Sequence, residues 1–285
     1  MTEEEVKDFK MAMLIAFYLK ADEKDFSEES IDELERLAET YGLETVAKIP
    51  VPLRQITSST IIGKGKLQEL FAVAEEYSAD VIIFDEEITP QQQRNLEKVF
   101  KRPVLDRTEL ILGVFAKRAQ TKEARLQIEL AKIRYEMPRL KRLWTHLSRQ
   151  VSGGGGYLRG AGEKQIELDR RMLRNRESRL QKEISQVRAH RSTQRRARQR
   201  TGIPSFAIVG YTNAGKSTLL NALTQAEVLV EDKLFATLDT TTRKFSLPNN
   251  QEILLIDTVG FIRKIPHALI AAFKSTLEEA IHTDV

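Results

Sequence analysis

The 285-residue chain contains no cysteine, which removes a disulfide framework, a thiolate metal site and a cysteine nucleophile in one step. Long hydrophobic runs are missing as well. The longest, Met11 to Leu19, falls well short of the roughly 20 apolar residues that a membrane-spanning helix needs. The opening Thr2-Glu3-Glu4-Glu5 lacks the basic start of a secretory leader. A soluble cytoplasmic protein without a membrane span is expected. Neither sign of charge dominates, since 45 Lys and Arg face 41 Asp and Glu for a net charge of +4. The charges are unevenly placed, however. The first hundred residues are rich in acids, whereas Arg170 to Arg200 is crowded with bases and ends Arg195-Arg196-Ala197-Arg198-Gln199-Arg200, a local polyanion-binding pattern. The length points to two or three domains, and 41% hydrophobic residues is enough to build their cores.

Residues 1–120 alternate apolar runs with amphipathic stretches, the pattern of a parallel α/β domain. Met11 to Leu19, Thr45 to Val51 and Val81 to Asp85 read as strands. Ser30-Ile31-Asp32-Glu33 has the spacing of a capping box opening a helix through Thr40, and Thr89-Pro90-Gln91-Gln92 that of another, with Pro at the first helical position and the helix running through Phe100. Gly63-Lys64-Gly65-Lys66 has amides and cations that suit an anion, but reads more simply as a turn before a helix at Leu67.

Residues 121–200 change period. Leu126, Ile133, Leu140 and Leu147, with Leu130, Met137 and Trp144, form an a/d seam that Pro138 should kink. A second seam follows through Ile166, Leu173, Leu180, Ile184 and Val187. The two predict an antiparallel helical hairpin, joined by the loop Ser152 to Gly162. That loop holds Gly153, Gly154, Gly155, Gly156 and Tyr157, with Arg149, Arg159 and Lys164 around it. A permissive linker is the plain alternative. Glycines beside cations and an aromatic ring suit RNA, whose phosphates and unpaired bases need those partners, so Gly153 to Tyr157 and Arg159 are candidate contacts. Arg195, Arg196 and Arg198 are candidates for phosphate, against the alternative of a solvated, ion-paired helix face.

Residues 201–285 carry the chemistry. The apolar strand Ser205 to Val209 runs into Gly210-Tyr211-Thr212-Asn213-Ala214-Gly215-Lys216-Ser217, and a helix continues from Thr218. This is a complete G-x-x-x-x-G-K-S phosphate loop in its strand-loop-helix setting. Its backbone amides and helix N-terminus cradle phosphates, Lys216 brings a positive charge, and Ser217 offers a hydroxyl to Mg²⁺. A second strand, Ile253 to Ile256, ends in Asp257-Thr258-Val259-Gly260. There an acid can hold magnesium through water and the Gly260 amide can sense a γ-phosphate. Together the two motifs read as a switch GTPase with Lys216 and Gly260 as the catalytic candidates. Between them, Phe235-Ala236-Thr237-Leu238-Asp239-Thr240-Thr241-Thr242 should supply a threonine to the metal, with Thr237, Thr241 and Thr242 all in contention.

The chain resembles the HflX-type GTPases of the Era-like, translation-associated group over nearly its whole length. The likeness rests on Asp106 to Leu112, Leu126 to Ala131, Gly160 to Arg171, Gly210 to Ser217, Phe235 to Asp239 and Asp257 to Ile262. The resemblance implies Mg²⁺-dependent hydrolysis of GTP to GDP and binding to the large ribosomal subunit. It also implies a glycine loop near the ribosome's catalytic centre, the splitting of stalled or idle ribosomes, and a monomer. It favours Thr237, with Ser217, as the metal ligands, and the phosphate loop, Phe235 to Asp239 and Asp257 to Gly260 as the nucleotide site. Thr240 stands where the family has proline after Asp239. The N-K-x-D and S-A-K elements that read guanine have no counterpart before Val285, so an incomplete P-loop GTPase domain is expected. A ribosome or RNA-binding module with a hydrolysis-deficient partial nucleotide domain is the competing reading.

Overall fold

The computed structural model describes residues 9–53, 55–140, 158–199, 202–224, 231–238, 240–265 and 283, with side chains described for 165–191 and 193 of the long helix. The chain packs as two compact units, one drawn from residues 1–113 and 136–170, the other from 114–135 and 171–285.

In the first unit, strands β1 (Met11–Tyr18), β2 (Glu44–Pro52), β3 (Val81–Phe84) and β4 (Val104–Asp106) form a sheet in the order β2-β1-β3-β4. Every pair in it is parallel. Such a sheet is covered on both faces, which is why β1 and β3 are apolar without alternation. Met13, Ile15, Ile82 and Phe84 share a core with Leu67 and Leu70 of α2 (Lys64–Glu76) and Leu96 and Phe100 of α3 (Pro90–Phe100). Ala12, Leu14, Val81 and Ile83 alternate to the other face and are equally buried. Leu34 and Leu37 of α1 (Lys24–Tyr41) are buried as well. The Thr89 box forms as its spacing predicts: Thr89 Oγ1 accepts from Gln92 N–H at 3.2 Å and Gln92 Oε1 accepts from Thr89 N–H at 2.9 Å. Gly42, at φ 99°, closes α1 with its N–H on the carbonyls of Ala38 and Glu39.

Two expectations for this unit are corrected. Helix α1 begins at Lys24, so Ser30 is not a cap. Its hydroxyl donates to Asp85 Oδ2 at 2.7 Å, while Glu33 and Asp85 both pair with Arg107, which is 2% exposed. The S-x-x-E spacing serves a buried charge network at the carboxyl end of β3, and local pattern cannot distinguish that from a cap. Helix α2 begins at Lys64, one residue after the Gly63 cap, rather than at Leu67. Sequence reading also missed α4 (Arg107–Arg118). It comes within van der Waals reach of α1, where a Cβ at Gly113 would lie 2.5 Å from the Tyr41 ring.

Helix α5 (Lys122–Glu136) passes into a 3₁₀ turn, Met137–Arg139, as Pro138 requires. Arg139, 6% exposed, donates to the Ile88 carbonyl at 2.7 Å, Gln93 Oε1 at 3.2 Å and Asp106 Oδ2 at 3.3 Å. The long helix α6 (Leu158–Gln199) follows. It takes in Gly160, Ala161 and Gly162, which sequence placed in the loop; flanking helix formers extend the helix back across both glycines. Within the second unit, Leu126 and Ile133 of α5 and Leu180 and Ile184 of α6 are buried. Ion pairs join Glu123, at the start of α5, to Arg191, and Glu129 and Arg134, further along α5, to Arg176 and Glu177, so α6 runs back as α5 runs forward. That is the expected antiparallel hairpin. Trp144, Leu147, Arg149 and Gly153 to Tyr157 lie outside the described residues.

The second sheet has the order β5-β7-β6. Strand β5 (Ser205–Ile208) is parallel to β7 (Glu252–Asp257), and β6 (Thr241–Ser246) is antiparallel to it. Helix α7 (Lys216–Thr224) follows β5 after the phosphate loop.

Asp106 generates a pH prediction. Burial pushes it up to about 6 and the nearby Glu109 charge adds to this, while the Glu109 N–H, the Arg139 charge and the Ile88 N–H oppose it. A carboxyl raised in the folded state binds its proton more tightly there, so its contribution to stability is complete below about pH 4 and is lost as pH rises through 6. The difference is on the order of 3 kcal/mol. Asp106→Asn should flatten the fall in unfolding free energy between pH 4 and 7, measured by urea denaturation.

Candidate functional site

The phosphate loop leaves β5 at Ile208 and enters α7 at Lys216, and its path needs two left-handed residues, Asn213 at φ 59° and Gly215 at φ 84°. Glycine suits the second because it carries no Cβ penalty there. Lys216 Nζ donates to the Tyr211 carbonyl at 2.7 Å, which curls the loop around its own cation. Burial lowers Lys216 from the ordinary lysine range, with the Asp257 charge opposing.

The carboxyl end of β7 meets this loop. Asp257 is fully buried, and its Oδ2 accepts from Ser217 Oγ at 2.5 Å. Ser217 Oγ also lies 2.7 Å from Thr237 Oγ1. Three oxygens, from the phosphate loop, from residues 231–238 ahead of β6 (the first switch) and from β7, therefore converge on one point. Thr241 and Thr242 are instead committed to β6, paired with Asp257 and Ile256 of β7. Thr237 alone of the three contending threonines reaches Ser217.

A magnesium ion fits this donor set. Asp257 Oδ1 is buried and has no hydrogen-bond partner among the described residues, so the carboxylate has an oxygen left to engage a hydrated cation. Among the described residues no cluster of three or more His, Cys, Asp or Glu gathers anywhere. An ion here would rest on two hydroxyls, one carboxylate and the phosphates of a ligand, the sparse protein ligation that Mg²⁺ accepts.

The second switch, Asp257 to Ile262, is fastened to the phosphate loop by its backbone. Phe261 N–H donates to the Gly210 carbonyl at 2.9 Å and Thr212 N–H donates to the Phe261 carbonyl at 2.7 Å. Thr258 Oγ1 donates to the Ile208 carbonyl at 2.7 Å. A Cβ on Gly260 would stand 2.3 Å from Thr212 Cα and 2.5 Å from Thr212 N. Only glycine permits that approach.

These elements border an open cleft of about 380 Å³, part of it open to solvent. Of the residues the sequence proposed, Thr212, Asn213, Gly215, Lys216, Ser217, Phe235, Ala236, Thr237, Thr258 and Gly260 line it. Leu238 and Val259 are buried instead, and Gly210, Tyr211 and Ala214 do not line it. Asp239 lies outside the described residues. Glu231 and Lys233 line the cavity too and were missed; the charged triplet Glu231-Asp232-Lys233 ahead of Phe235 was the available signal. Asp232 accepts from the phosphate-loop Asn213 at 2.7 Å, and Arg118 pairs with Glu231 at 2.6 Å and holds it below the usual glutamate range. Arg159 opens α6 and Arg195, Arg196 and Arg198 lie near its end, with their side chains outside the described residues.

Gly260→Ala should force the second switch off the phosphate loop, at a cost of about 1–3 kcal/mol typical of overpacking. Amide exchange at Thr212 and Phe261 should accelerate while β5 stays protected. Unchanged exchange at both would show that the contact does not hold the switch.

Residues 28–116 match the family described as GTP-binding GTPase N-terminal, 118–198 the GTP-binding GTPase Middle Region, and 205–284 the 50S ribosome-binding GTPase. The chain is 54% identical over 282 residues to the GTPase HflX of Chlamydia pneumoniae, covering 98% of this chain and 60% of that one. It is 44% identical to the GTPase HflX of Flavobacterium psychrophilum, covering 100% and 68%. A crystal structure of a GTP-binding protein from the hyperthermophilic archaeon Sulfolobus solfataricus in complex with GDP matches with a TM-score of 0.50 and 29% identity, covering 97% of this chain and 69% of that one. The chain thus spans about three fifths of the length of the Chlamydia relative. With three regions matched in succession and identity at this level along nearly all of it, the chain belongs to the HflX family of GTPases.

Proposed function

We propose that this protein binds GTP with Mg²⁺, hydrolyses it to GDP, and acts in the cytoplasm on the large ribosomal subunit to separate stalled or idle ribosomes. The observation that carries the nucleotide part is the convergence of Ser217, Thr237 and Asp257 beside the phosphate loop. Neither arginine-rich nor glycine-rich patterning accounts for that cluster, whereas a metal-bound triphosphate does. The ribosomal part draws support from the family description matched by residues 205–284, a 50S ribosome-binding GTPase, and from the basic end of α6. Among the described residues no helix is long and apolar enough to cross a membrane. The sequence division at 1–120, 121–200 and 201–285 enters the proposal as three tasks: an α/β module, an RNA-facing hairpin, and the nucleotide domain.

In this reading Lys216 spreads its charge over the β and γ phosphates, and the amides of the phosphate loop and of Gly260 stabilise charge that develops as water attacks. Mg²⁺, held by Ser217 and Thr237 and through water by Asp257, would supply further neutralisation of the phosphates. Phe261 directly follows Gly260 and has no group to orient the attacking water, so intrinsic turnover is slow and stimulation falls to the ribosome. Gly153 to Tyr157 and Arg159 approach ribosomal RNA, and Arg195, Arg196 and Arg198 neutralise its phosphates.

Two measurements test the proposal. The chain should cosediment with large ribosomal subunits at low salt and leave them at high salt, because counterions released on binding RNA make affinity fall with salt. Replacing Arg195, Arg196 and Arg198 together by Gln should weaken this binding, and unchanged sedimentation would return that run to a solvated helix face. In nucleotide titrations GTP should bind and Lys216→Ala should abolish binding without loss of helical circular dichroism. Equal weak binding of GTP, ATP and inorganic triphosphate would support phosphate recognition without base selectivity and favour the binding-module reading.

A further inference from the structure

The first switch is held from two directions. From within the nucleotide domain, Thr212 Oγ1 accepts from Phe235 N–H at 2.8 Å and Asn213 Nδ2 donates to Asp232 Oδ1 at 2.7 Å. The other two contacts come from the last turn of α4, before the hairpin and outside the nucleotide fold. The Phe115 ring meets the Phe235 ring edge to face, with centroids 4.6 Å apart and planes at 81°. Both side chains are 1% exposed. One turn further, Arg118 Nη2 pairs with Glu231 Oε2 at 2.6 Å. Residues three apart share a helix face, so one face of α4 grips the switch at its start and its middle.

The grip falls on a strained residue. Phe235 has φ 55°, a left-handed conformation that a bulky side chain adopts only when its surroundings impose it. Its N–H is fixed by Thr212 and its ring by Phe115. Two residues later Thr237 meets Ser217 at 2.7 Å. A relaxed Phe235 backbone would turn that segment, and Thr237 would leave the oxygen cluster.

We propose that Phe115 and Arg118 are positioning residues for the first switch, acting through Phe235 and Glu231 to hold Thr237 at the metal end of the nucleotide site. They touch neither nucleotide nor metal. Because Arg125 Nε of α5 donates to the Ala119 carbonyl just after α4 at 3.1 Å, a shift of α5 against the end of α4 reaches Thr237 by the same contacts. By linkage, nucleotide that engages Thr237 stiffens the same junction.

The inference rests on the phosphate-loop reading above, and the experiment separates the two. Hydrogen exchange in the nucleotide-free chain comes first. Phe115→Ala should accelerate exchange at Phe235 and Thr237, with β5 and α7 unchanged. Fluorescent GTP and GDP titrations with Mg²⁺ follow. Phe115→Ala should weaken GTP about tenfold, as loss of a buried aromatic pair implies, and GDP by less than about twofold, because a diphosphate leans on the phosphate loop and not on Thr237. Arg118→Gln, at a partly exposed pair, should show the same selective loss at about two- to fivefold, and Arg118→Lys should restore most of it. Equal weakening of GTP and GDP, or unchanged exchange at Phe235 and Thr237, overturns the positioning role. A wild-type chain that binds neither nucleotide overturns the phosphate-loop reading itself.

Discussion

The buried carboxylate of Asp257 is the constraint on which the nucleotide domain turns. It stands at the carboxyl end of β7, fully buried, with one oxygen taken by Ser217 and the other without a hydrogen-bond partner among the described residues. An ionised group in that position is expensive unless something positive or strongly hydrogen-bonding satisfies it. The neighbouring architecture reads as the answer. Thr237 closes on Ser217, Lys216 stands beside the carboxylate, and the loop glycine at φ 84° lets the backbone turn back toward it. A metal-bound triphosphate would complete what the side chains leave open.

The first unit solves the burial of charge differently, by pairing opposite charges. Arg107 joins Asp85 and Glu33, and Arg139 joins Asp106, at the carboxyl ends of β3 and β4. That edge of an open parallel sheet is where such folds ordinarily bind ligands. Here it is filled by the chain's own ions. Breaking such a pair from one side leaves an uncompensated buried charge and costs about 3–5 kcal/mol, so these contacts set the arrangement of α1, α4 and the exit of α5.

Where the sequence was legible, the cause was local. The phosphate loop, the Thr89 box and the strands β1, β2, β3, β5 and β7 are each fixed by residues a few positions apart, and the strands appear with ends shifted by one or two residues. The failures share a different cause. Ser30 and Glu33 matched a helix start, yet their partners, Asp85 and Arg107, lie more than 50 residues away. Thr237 was distinguishable from Thr241 and Thr242 only by family likeness, because what separates them is the pairing of β6 with β7. Phe115, Arg118 and Glu231 carry no motif. Their meeting depends on where α4 ends in space, which no periodicity in the chain encodes.

We propose that Ser217, Thr237 and Asp257 form a magnesium-dependent triphosphate site. Calorimetric titration of the chain with GTP, in Mg²⁺ and again in excess chelator, tests it most directly. Binding should be much tighter with Mg²⁺, and an Asp257→Asn chain should retain its fold but lose the Mg²⁺ enhancement. Equal GTP affinity in Mg²⁺ and in chelator, or an undiminished enhancement in Asp257→Asn, would contradict it.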